Sequence, residues 1–281
     1  MTIQAIQNSP VFASRQKPLA QLQPTQVASV APMFGETQKN APDVLKLRDA
    51  LVARQPKFAG IRPHIVTVTP DGRTISIDTD SLNFQNNIFT FNGPISPVTS
   101  LIFNSSMEVL KEKILKARRE DGIENPRDVK PGDPDFDEDR DKITINLSSY
   151  GGQFFSLYSI IDTLTILKNN GIAVSIIASG SIGNEAAAIL ACGTPGYRGI
   201  TSNTLMEVEQ PNSWAQGPVT NIKIRYELAE DTKRKFIHFL SDNSHTGKSY
   251  EDFERDIDRT KCLDADDVVN DWGIADFIAD T

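Results

Sequence analysis

The sequence predicts an α/β domain with parallel strands that follows a disordered N-terminal tail. Segments with strand character alternate with segments of helical periodicity from about residue 87 onward, which is the pattern of βαβ units. Before residue 60 the chain is rich in Gln, Ser, Ala and Pro, without an acidic residue until Glu36. Such a segment buries too little apolar surface to offset its ordering entropy. We therefore predict a tail at 1–60, disordered or partly helical, and a folded domain at 61–281.

The first part of the predicted domain contains a hairpin, a strand and a helix. Residues 64–78 alternate apolar and polar side chains on both sides of Asp71-Gly72, which indicates a β-hairpin. A short strand at 87–93 and a helix at 97–120 follow, the helix being predicted from the spacing of its apolar residues. In the tail, a short helix at 43–55 is possible.

The remaining elements continue the alternation. They comprise strands at 142–149 and 172–179, helices at 154–170 and 184–193, a long amphipathic helix at 219–244, and short helices at 249–258 and 264–273. The run at 172–179 is continuously apolar, as in a strand that is buried on both faces. Asp264 is the predicted N-cap of the last helix. Residues 274–279 close the chain.

A polar segment at about 120–141 interrupts this pattern. It contains three prolines and many acidic residues, and we predict a solvated surface insertion. Asp133, Asp135 and Asp137 have the spacing of a calcium loop, but Glu138 stands where such a loop needs glycine. No metal site is predicted here.

Composition excludes several classes of protein. With 29 Lys and Arg against 37 Asp and Glu, the net charge is −8, which does not suit a general nucleic-acid-binding protein. No apolar run approaches the roughly 18 residues of a membrane span, and the N-terminus lacks the order of a secretory signal. Cys192 and Cys262 form no CxxC motif. We expect a cytoplasmic protein with no cofactor, metal, nucleic acid or membrane partner.

Several motifs occur in a fixed order along the domain. A Gly151-Gly152 pair separates a predicted strand from a helix, and a small-residue helix, "NEAAAILACG", follows later. Next come "WAQG" at 214–217, "HTG" at 245–247, "FERD" at 253–256 and "WGIAD" near the end. From about Ser81 to the end, apart from the insertion, this series resembles the ClpP family, the proteolytic subunits of the Clp protease.

The resemblance implies a fold and an assembly. It implies the crotonase-like ClpP fold, built from repeated β-β-α and βα units. Such subunits form seven-membered rings, and two stacked rings enclose a chamber. An ATP-driven AAA+ Clp unfoldase feeds polypeptide substrates into that chamber. The segment "WAQGPVTNI" matches the projecting part through which the two rings pack.

The resemblance also implies where a Ser-His-Asp triad and its oxyanion hole would lie. Without gaps, Asn184 occupies the position of the serine, Glu209 that of the histidine and Asp256 that of the aspartate. Gly152 matches the oxyanion-hole glycine. Glu185 follows the nucleophile position and completes the hole.

These replacements change the chemistry that is possible. The amide of Asn184 has no ionisable nucleophile, and an ordinary glutamate, with a pKa of ~4.3, is a weak base at neutral pH. We expect Glu209 and Asp256 to lie close together, which would raise the pKa of one of them. The acid at Glu185 would disfavour a developing negative oxygen in the hole.

The sequence therefore predicts a non-catalytic, ClpR-like subunit that assembles with active ClpP-like paralogues. Two alternatives remain open. The chain could be an active hydrolase that uses Ser181 in "GSIG", or Glu209 with Asp256 as an acid–base pair. It could also be a self-assembling scaffold that has no Clp partner.

Overall fold

The computed structural model describes residues 64–68 and 74–279. The predicted tail, its possible helix at 43–55 and the hairpin turn at Asp71-Gly72 lie outside the described residues. The strands on either side of that turn are described. β1 (His64–Val68) pairs antiparallel with β2 (Thr74–Asp78), so the predicted hairpin is confirmed in its strand pairing.

A short helix that the sequence analysis did not predict follows the hairpin. α1 (Thr79–Gln85) begins at Asp78, whose carboxylate accepts the Ser81 N–H at 2.9 Å. This is an ordinary N-cap, since the carboxylate satisfies one of the free N–H groups at the helix start. Helical periodicity is hard to detect in only two turns.

The predicted parallel sheet is confirmed. Its parallel strands, in spatial order, are β3 (Ile88–Asn92), β4 (Lys142–Ser149), β5 (Ala173–Ile182), β6 (Arg198–Thr201) and β9 (Phe277–Ala279). β7 (Leu205–Val208) pairs parallel with the end of β5, and β8 (Lys261–Leu263) pairs antiparallel with β7. The strands β6, β7 and β8 were not predicted. Each has three or four residues, too few for a period-2 pattern to show.

Most of the predicted helices are present close to their expected positions. They are α2 (Pro97–Glu120), α4 (Phe154–Asn169), α5 (Asn184–Ala191), α6 (Val219–Ser241) and α7 (Tyr250–Asp256), while α3 (Glu138–Asp141) is an unpredicted single turn. α2 begins with a capping box formed by Ser96 and Thr99. α2 packs against α4, α5 packs against α6, and both α4 and α5 contact β5.

The last predicted helix has a different form. Instead of an α-helix at 264–273, the structure has a π-helical turn at Asp267–Asp271. Asp264 nevertheless acts as the expected cap, because its carboxylate accepts the Asp267 N–H at 2.9 Å. The Trp272 N–H bonds to the Asp267 carbonyl, five residues back, and the Trp272 side chain is fully buried.

The polar insertion is largely exposed, as predicted, but it is also anchored in the core, which the sequence did not predict. Most of its residues are exposed, but Val129 and Asp141 are buried. The fully buried Arg118 donates to the Asp141 carboxylate at 2.9 Å and to the Pro126 carbonyl at 2.5 Å. It also donates to the carbonyls that follow α4, at Asn170 and Gly171. A buried guanidinium requires acceptors, and the insertion supplies two of them, the Pro126 carbonyl and the Asp141 carboxylate.

Within the described part of the chain, no helix combines the length and the apolar character that a bilayer crossing requires.

Candidate functional site

The residues that the resemblance assigns to catalysis lie around the carboxyl ends of β4, β5 and β7. A shift in the β4–β5 register positions them, since Leu147 pairs with Ala178 but Ser149 pairs with Ile182. β5 therefore has two extra residues there, and Gly180 adopts a left-handed conformation (φ 78°) within them. Such a bulge bends the strand and redirects the chain into α5.

Asn184 is the first residue of α5, and its side chain contacts the end of β7. Its Oδ1 accepts the main-chain N–H of Glu209 at 2.6 Å. Gly183, the N-cap of α5, lies so close to the Tyr150 carbonyl that a Cβ at this position would collide with it. The tight approach of α5 to the β4–α4 loop holds Asn184 in place. The amide oxygen of Asn184 then satisfies the main-chain N–H of Glu209.

Glu185 points into the loop that contains the glycine pair. Its Oε2 accepts the Gly152 N–H at 2.8 Å, and the residue is only 5% exposed. Gly151 and Gly152 have φ values of 93° and 158°, and a Cβ on Gly151 would collide with the Glu185 carboxylate. The glycine pair is therefore needed both for its backbone conformation and for the space that the carboxylate occupies.

Two opposing effects act on the pKa of Glu185. Burial disfavours the ionised form and is the larger effect. Hydrogen bonds from the Gly152 N–H and from the main-chain N–H of Glu185 itself favour the carboxylate. The pKa of Glu185 is raised as a result. The same two N–H groups are those that the resemblance assigns to an oxyanion hole.

The side chain of Glu209 turns away from Asn184. Its Oε1 accepts from the Asn212 side-chain amide at 2.8 Å, and its Oε2 accepts from the Thr260 hydroxyl at 2.8 Å. Both carboxylate oxygens are thus hydrogen-bonded to neighbouring loops. The main-chain N–H of Glu209 bonds to Asn184, but its carboxylate does not contact that residue in the hydrogen bonds of the described chain.

Asp256 belongs to a separate cluster of charges. Its Oδ2 lies 2.8 Å from the Lys248 Nζ and 3.3 Å from the Lys261 Nζ. Burial opposes ionisation of Asp256, but the hydrogen bonds and charges of the two lysines outweigh it, so the pKa is lowered. We expected mutual repulsion between Asp256 and Glu209 to raise one of their pKa values. For Asp256 the opposite holds, because two cations neutralise it.

Lys248 is the centre of this cluster. Its ammonium also lies 2.9 Å from the Asp271 carboxylate and 5.6 Å from the centre of the Trp272 ring. The Phe253 ring is at a similar distance, 5.7 Å. Ion pairs and cation–π contacts thus connect the loop before α7, the end of α7, β8 and the π-helical turn. Asp256 is held inside this network.

Ser181, the alternative nucleophile, lies within β5 and not at the start of α5. It is half-buried and pairs with Leu205 of β7. Of the histidines with described side chains, His238 lies 3.6 Å from Asp242 and His245 lies 3.7 Å from Asp276. Neither is among the hydrogen-bond partners of Ser181 in the described residues.

Sequence reasoning did not identify four residues around the site, Asn212, Lys248, Thr260 and Lys261. They lie in loops or in the three-residue strand β8, where no periodic pattern marks them. The antiparallel β7–β8 register, which sets Val208 opposite Lys261, brings this part of the chain to the site. In the part of the chain that the structure describes, no group of three or more His, Cys, Asp or Glu side chains could hold a metal ion.

Comparison with a family model and with individual proteins points to the same family. A family model described as Clp protease matches residues 135–281. The chain is 34% identical over 145 residues to "ATP-dependent Clp protease proteolytic subunit 2" of Frankia casuarinae, covering 52% of this chain and 64% of that protein. It is 35% identical over 146 residues to the protein of the same name from Corynebacterium jeikeium, covering 52% and 66%.

A third relative, "ATP-dependent Clp protease proteolytic subunit 3" of Nocardia farcinica, is 35% identical over 147 residues, with 52% of this chain and 63% of that protein covered. The chain thus spans a little less than two thirds of the length of these relatives.

Proposed function

The chain belongs to the Clp protease family, and on that premise we propose that it is a non-catalytic, ClpR-like subunit of an ATP-dependent Clp protease. One observation carries the proposal. The two side chains that begin α5, where a nucleophile would be required, are both acceptors bound to main-chain N–H groups: Asn184 to Glu209, and Glu185 to Gly152. Neither can attack a peptide carbonyl.

The absence of a competent base supports the same conclusion. A general base must lie within hydrogen-bonding distance of the proton it removes. The carboxylate of Glu209 accepts from Asn212 and Thr260, and that of Asp256 lies between Lys248 and Lys261. These contacts also argue against Glu209 and Asp256 acting as an acid–base pair, because each group has other partners.

Because the Gly152 N–H is already occupied, the residual rate that an oxyanion hole could supply is also lost. When triad members that act together are lost, the oxyanion hole and substrate binding supply the residual rate. Here the Gly152 N–H already donates to the Glu185 carboxylate. A peptide carbonyl that approached this loop would have to displace the tethered carboxyl group of Glu185.

We propose that the chain contributes structure to an oligomer. The first half of α6 is exposed throughout and carries large apolar side chains, such as Val219 (83% exposed), Ile224 (57%) and Tyr226 (63%). Exposure of contiguous apolar surface on a projecting helix favours an interface. The partners would be other ClpP-like subunits in two stacked rings, a AAA+ Clp unfoldase and its polypeptide substrates, in the cytoplasm.

A labelling experiment tests the absence of catalysis. We expect no reaction of the purified chain with a fluorophosphonate probe and no hydrolysis of a fluorogenic peptide, alone or in complex with an active paralogue. In the complex, label on the paralogue is the positive control.

If Ser181 is the nucleophile, the same assay should give a different result. If the unmodified chain is labelled and Ser181→Ala abolishes the label, the chain is an active hydrolase and the proposal fails.

A further inference from the structure

We propose that Lys113 is a nucleophilic lysine, a modification site at which a small acyl phosphate transfers its acyl group to this chain. The site lies at the amino ends of β3 and β4, because Gln85 and Asn87 directly precede β3 and Arg140 precedes β4. The candidate functional site lies at the opposite, carboxyl ends of the strands. The inference therefore goes beyond the proposed function and does not depend on it.

The Lys113 side chain extends from α2 to the end of α1, where two uncharged oxygens hold it. Its Nζ donates to the main-chain carbonyl of Gln85 at 2.5 Å and to the Oδ1 of Asn87 at 2.9 Å. Asn87 is only 6% exposed, and its own side-chain amide donates to the Arg140 carbonyl at 3.2 Å. These contacts fix the position of the Lys113 nitrogen.

Two acceptors meet the hydrogen-bonding needs of a neutral amine in full. Such an amine has two N–H groups, which the two oxygens accept, and its lone pair stays free to attack an electrophile. The ammonium form has three N–H groups. For the third, the described residues provide no acceptor, so the arrangement suits a nucleophile.

Lys113 also lacks the ion pair that its neighbours have. Lys111 and Lys116 on the same helix pair with Glu108 and Glu120, whereas Lys113 forms no ion pair within the described part of the chain. Partial burial of its amine is therefore uncompensated, and it lowers the pKa of Lys113. A larger fraction of this side chain is then the unprotonated, nucleophilic amine at neutral pH.

A cavity of about 400 Å³ gives an acyl donor access to this amine. Lys113 lines the cavity and is exposed to solvent. The other charged groups in the lining are Arg140 and Asp139, so two cations face one carboxylate. An excess of positive charge attracts an anionic reagent, which favours an acyl phosphate over an uncharged acyl donor.

The reaction is an acyl transfer to nitrogen. The Lys113 lone pair attacks the acyl carbon, a C–N bond forms, and the bond from that carbon to the phosphate oxygen breaks. Inorganic phosphate leaves with the electron pair of the broken bond, and the proton of the amine passes to solvent. The product is a neutral amide with a single N–H, so only one of the two oxygens at the end of α1 keeps its donor.

Competitive acetylation of the full, unmodified chain tests the proposal. The chain is incubated with acetyl phosphate, and the acetylated fraction of each lysine is followed by peptide mass spectrometry. We expect Lys113 to react at least about threefold faster than Lys116 at neutral pH, because more of it is unprotonated. Lys116 is the matched control, since it is also exposed on α2 but pairs with Glu120. The rate at Lys113 should also level off at a lower pH than the rate at Lys116.

Two variants test whether the missing ion pair causes the reactivity. Ala117→Glu places a carboxylate four residues after Lys113, the spacing at which Lys116 meets Glu120, and should lower the rate at Lys113 to that at Lys116. Ala117→Gln has the same size without the charge and should keep the faster rate.

Either of two results would overturn the inference. One is a rate at Lys113 no higher than that at Lys116 in the unmodified chain. The other is an equal rate at Lys113 in the Ala117→Glu and Ala117→Gln chains.

Discussion

At the residue scale, the positions that align with the triad form internal hydrogen bonds and ion pairs. Asn184 binds the Glu209 N–H, and Glu185 binds the Gly152 N–H. Asp256 is neutralised by Lys248 and Lys261. A buried polar group is costly when it lacks a partner, so the replacements at Asn184 and Glu185 are tolerated because a main-chain donor satisfies each of them.

The raised pKa of Glu185 predicts a pH-dependent contribution to stability. Because the folded-state pKa is above the ordinary value of 4.5, folding binds a proton in the interval between the two. The contribution of Glu185 is therefore greatest below pH 4.5 and is lost as the pH rises through the folded-state pKa. We expect the free energy of unfolding of the unmodified chain, relative to Glu185→Gln, to increase as the pH falls through this interval.

Urea denaturation of both chains across this pH range measures the difference. Other titrating groups cancel in the comparison, since they are common to both. A difference that stays constant with pH, or that decreases towards acid, would contradict the pKa shift.

Restoring a triad should require more than the nucleophile. Asn184→Ser alone should have almost no effect, because no base is present to take its proton. Adding Glu209→His and Glu185→Met supplies a base and removes the acid from the Gly152 N–H. We expect measurable peptide hydrolysis only in this triple variant, within an assembled ring.

The lysines around Asp256 limit the activity of that triple variant. An imidazole at position 209 would have to compete with two ammonium groups for the Asp256 carboxylate. Adding Lys261→Ala should therefore increase the rate further, by a part of the ~10²–10⁴-fold that general base catalysis provides. A rate that is unchanged or lower would show that Asp256 does not orient the imidazole.

At the element scale, the polar insertion and the end of α2 form one packed unit. Arg118 joins α2, the insertion and the turn after α4 through the hydrogen bonds of its guanidinium. Arg118→Met would leave three main-chain carbonyls without their donor, and Asp141 with only Arg140 and the Asp137 N–H. We expect a loss of about 3 kcal/mol in the free energy of unfolding, as for a broken buried ion pair.

The neighbouring Arg119 provides the matched control. It is exposed on the same helix, and Arg119→Met should change the free energy of unfolding by less than about 0.5 kcal/mol. Guanidinium chloride denaturation measures both variants. Similar effects of the two substitutions would show that the Arg118 contacts do not stabilise the fold.

At the scale of the whole molecule, the proposed assembly can be tested at α6. Val219, Ile222 and Tyr226 share one side of this helix by their spacing, and all three are exposed. We predict that Ile222→Asp combined with Tyr226→Asp lowers the mass of the complex formed with an active paralogue, as measured by sedimentation velocity. The melting temperature of the separate chain should change little, since neither side chain is buried.

Asn221→Asp introduces a negative charge on the same exposed turn and is the control for charge alone. It should leave the mass of the complex unchanged. If the double substitution also leaves it unchanged, α6 is not an interface. If the unmodified chain remains a monomer with the paralogue, it is not a subunit of that assembly.

The sequence by itself determined the fold class and most of the long elements. The helices α2, α4 and α6 and the strand β5 were predicted because periodic or continuous apolar runs are local properties of the chain. The residue types at Asn184, Glu185 and Glu209 were equally evident. They sufficed to predict the absence of an ordinary triad, since an amide and two carboxylates cannot supply its chemistry.

Only the tertiary structure decided which groups meet. The short strands β7 and β8 carry too few residues for a pattern, yet their antiparallel register brings Thr260 and Lys261 beside the site. The binding of Glu185 to Gly152 joins residues 33 positions apart, and that of Arg118 to Asn170 joins residues 52 apart. Burial and strand register set such pairings. Both depend on the whole folded chain, so no local segment encodes them.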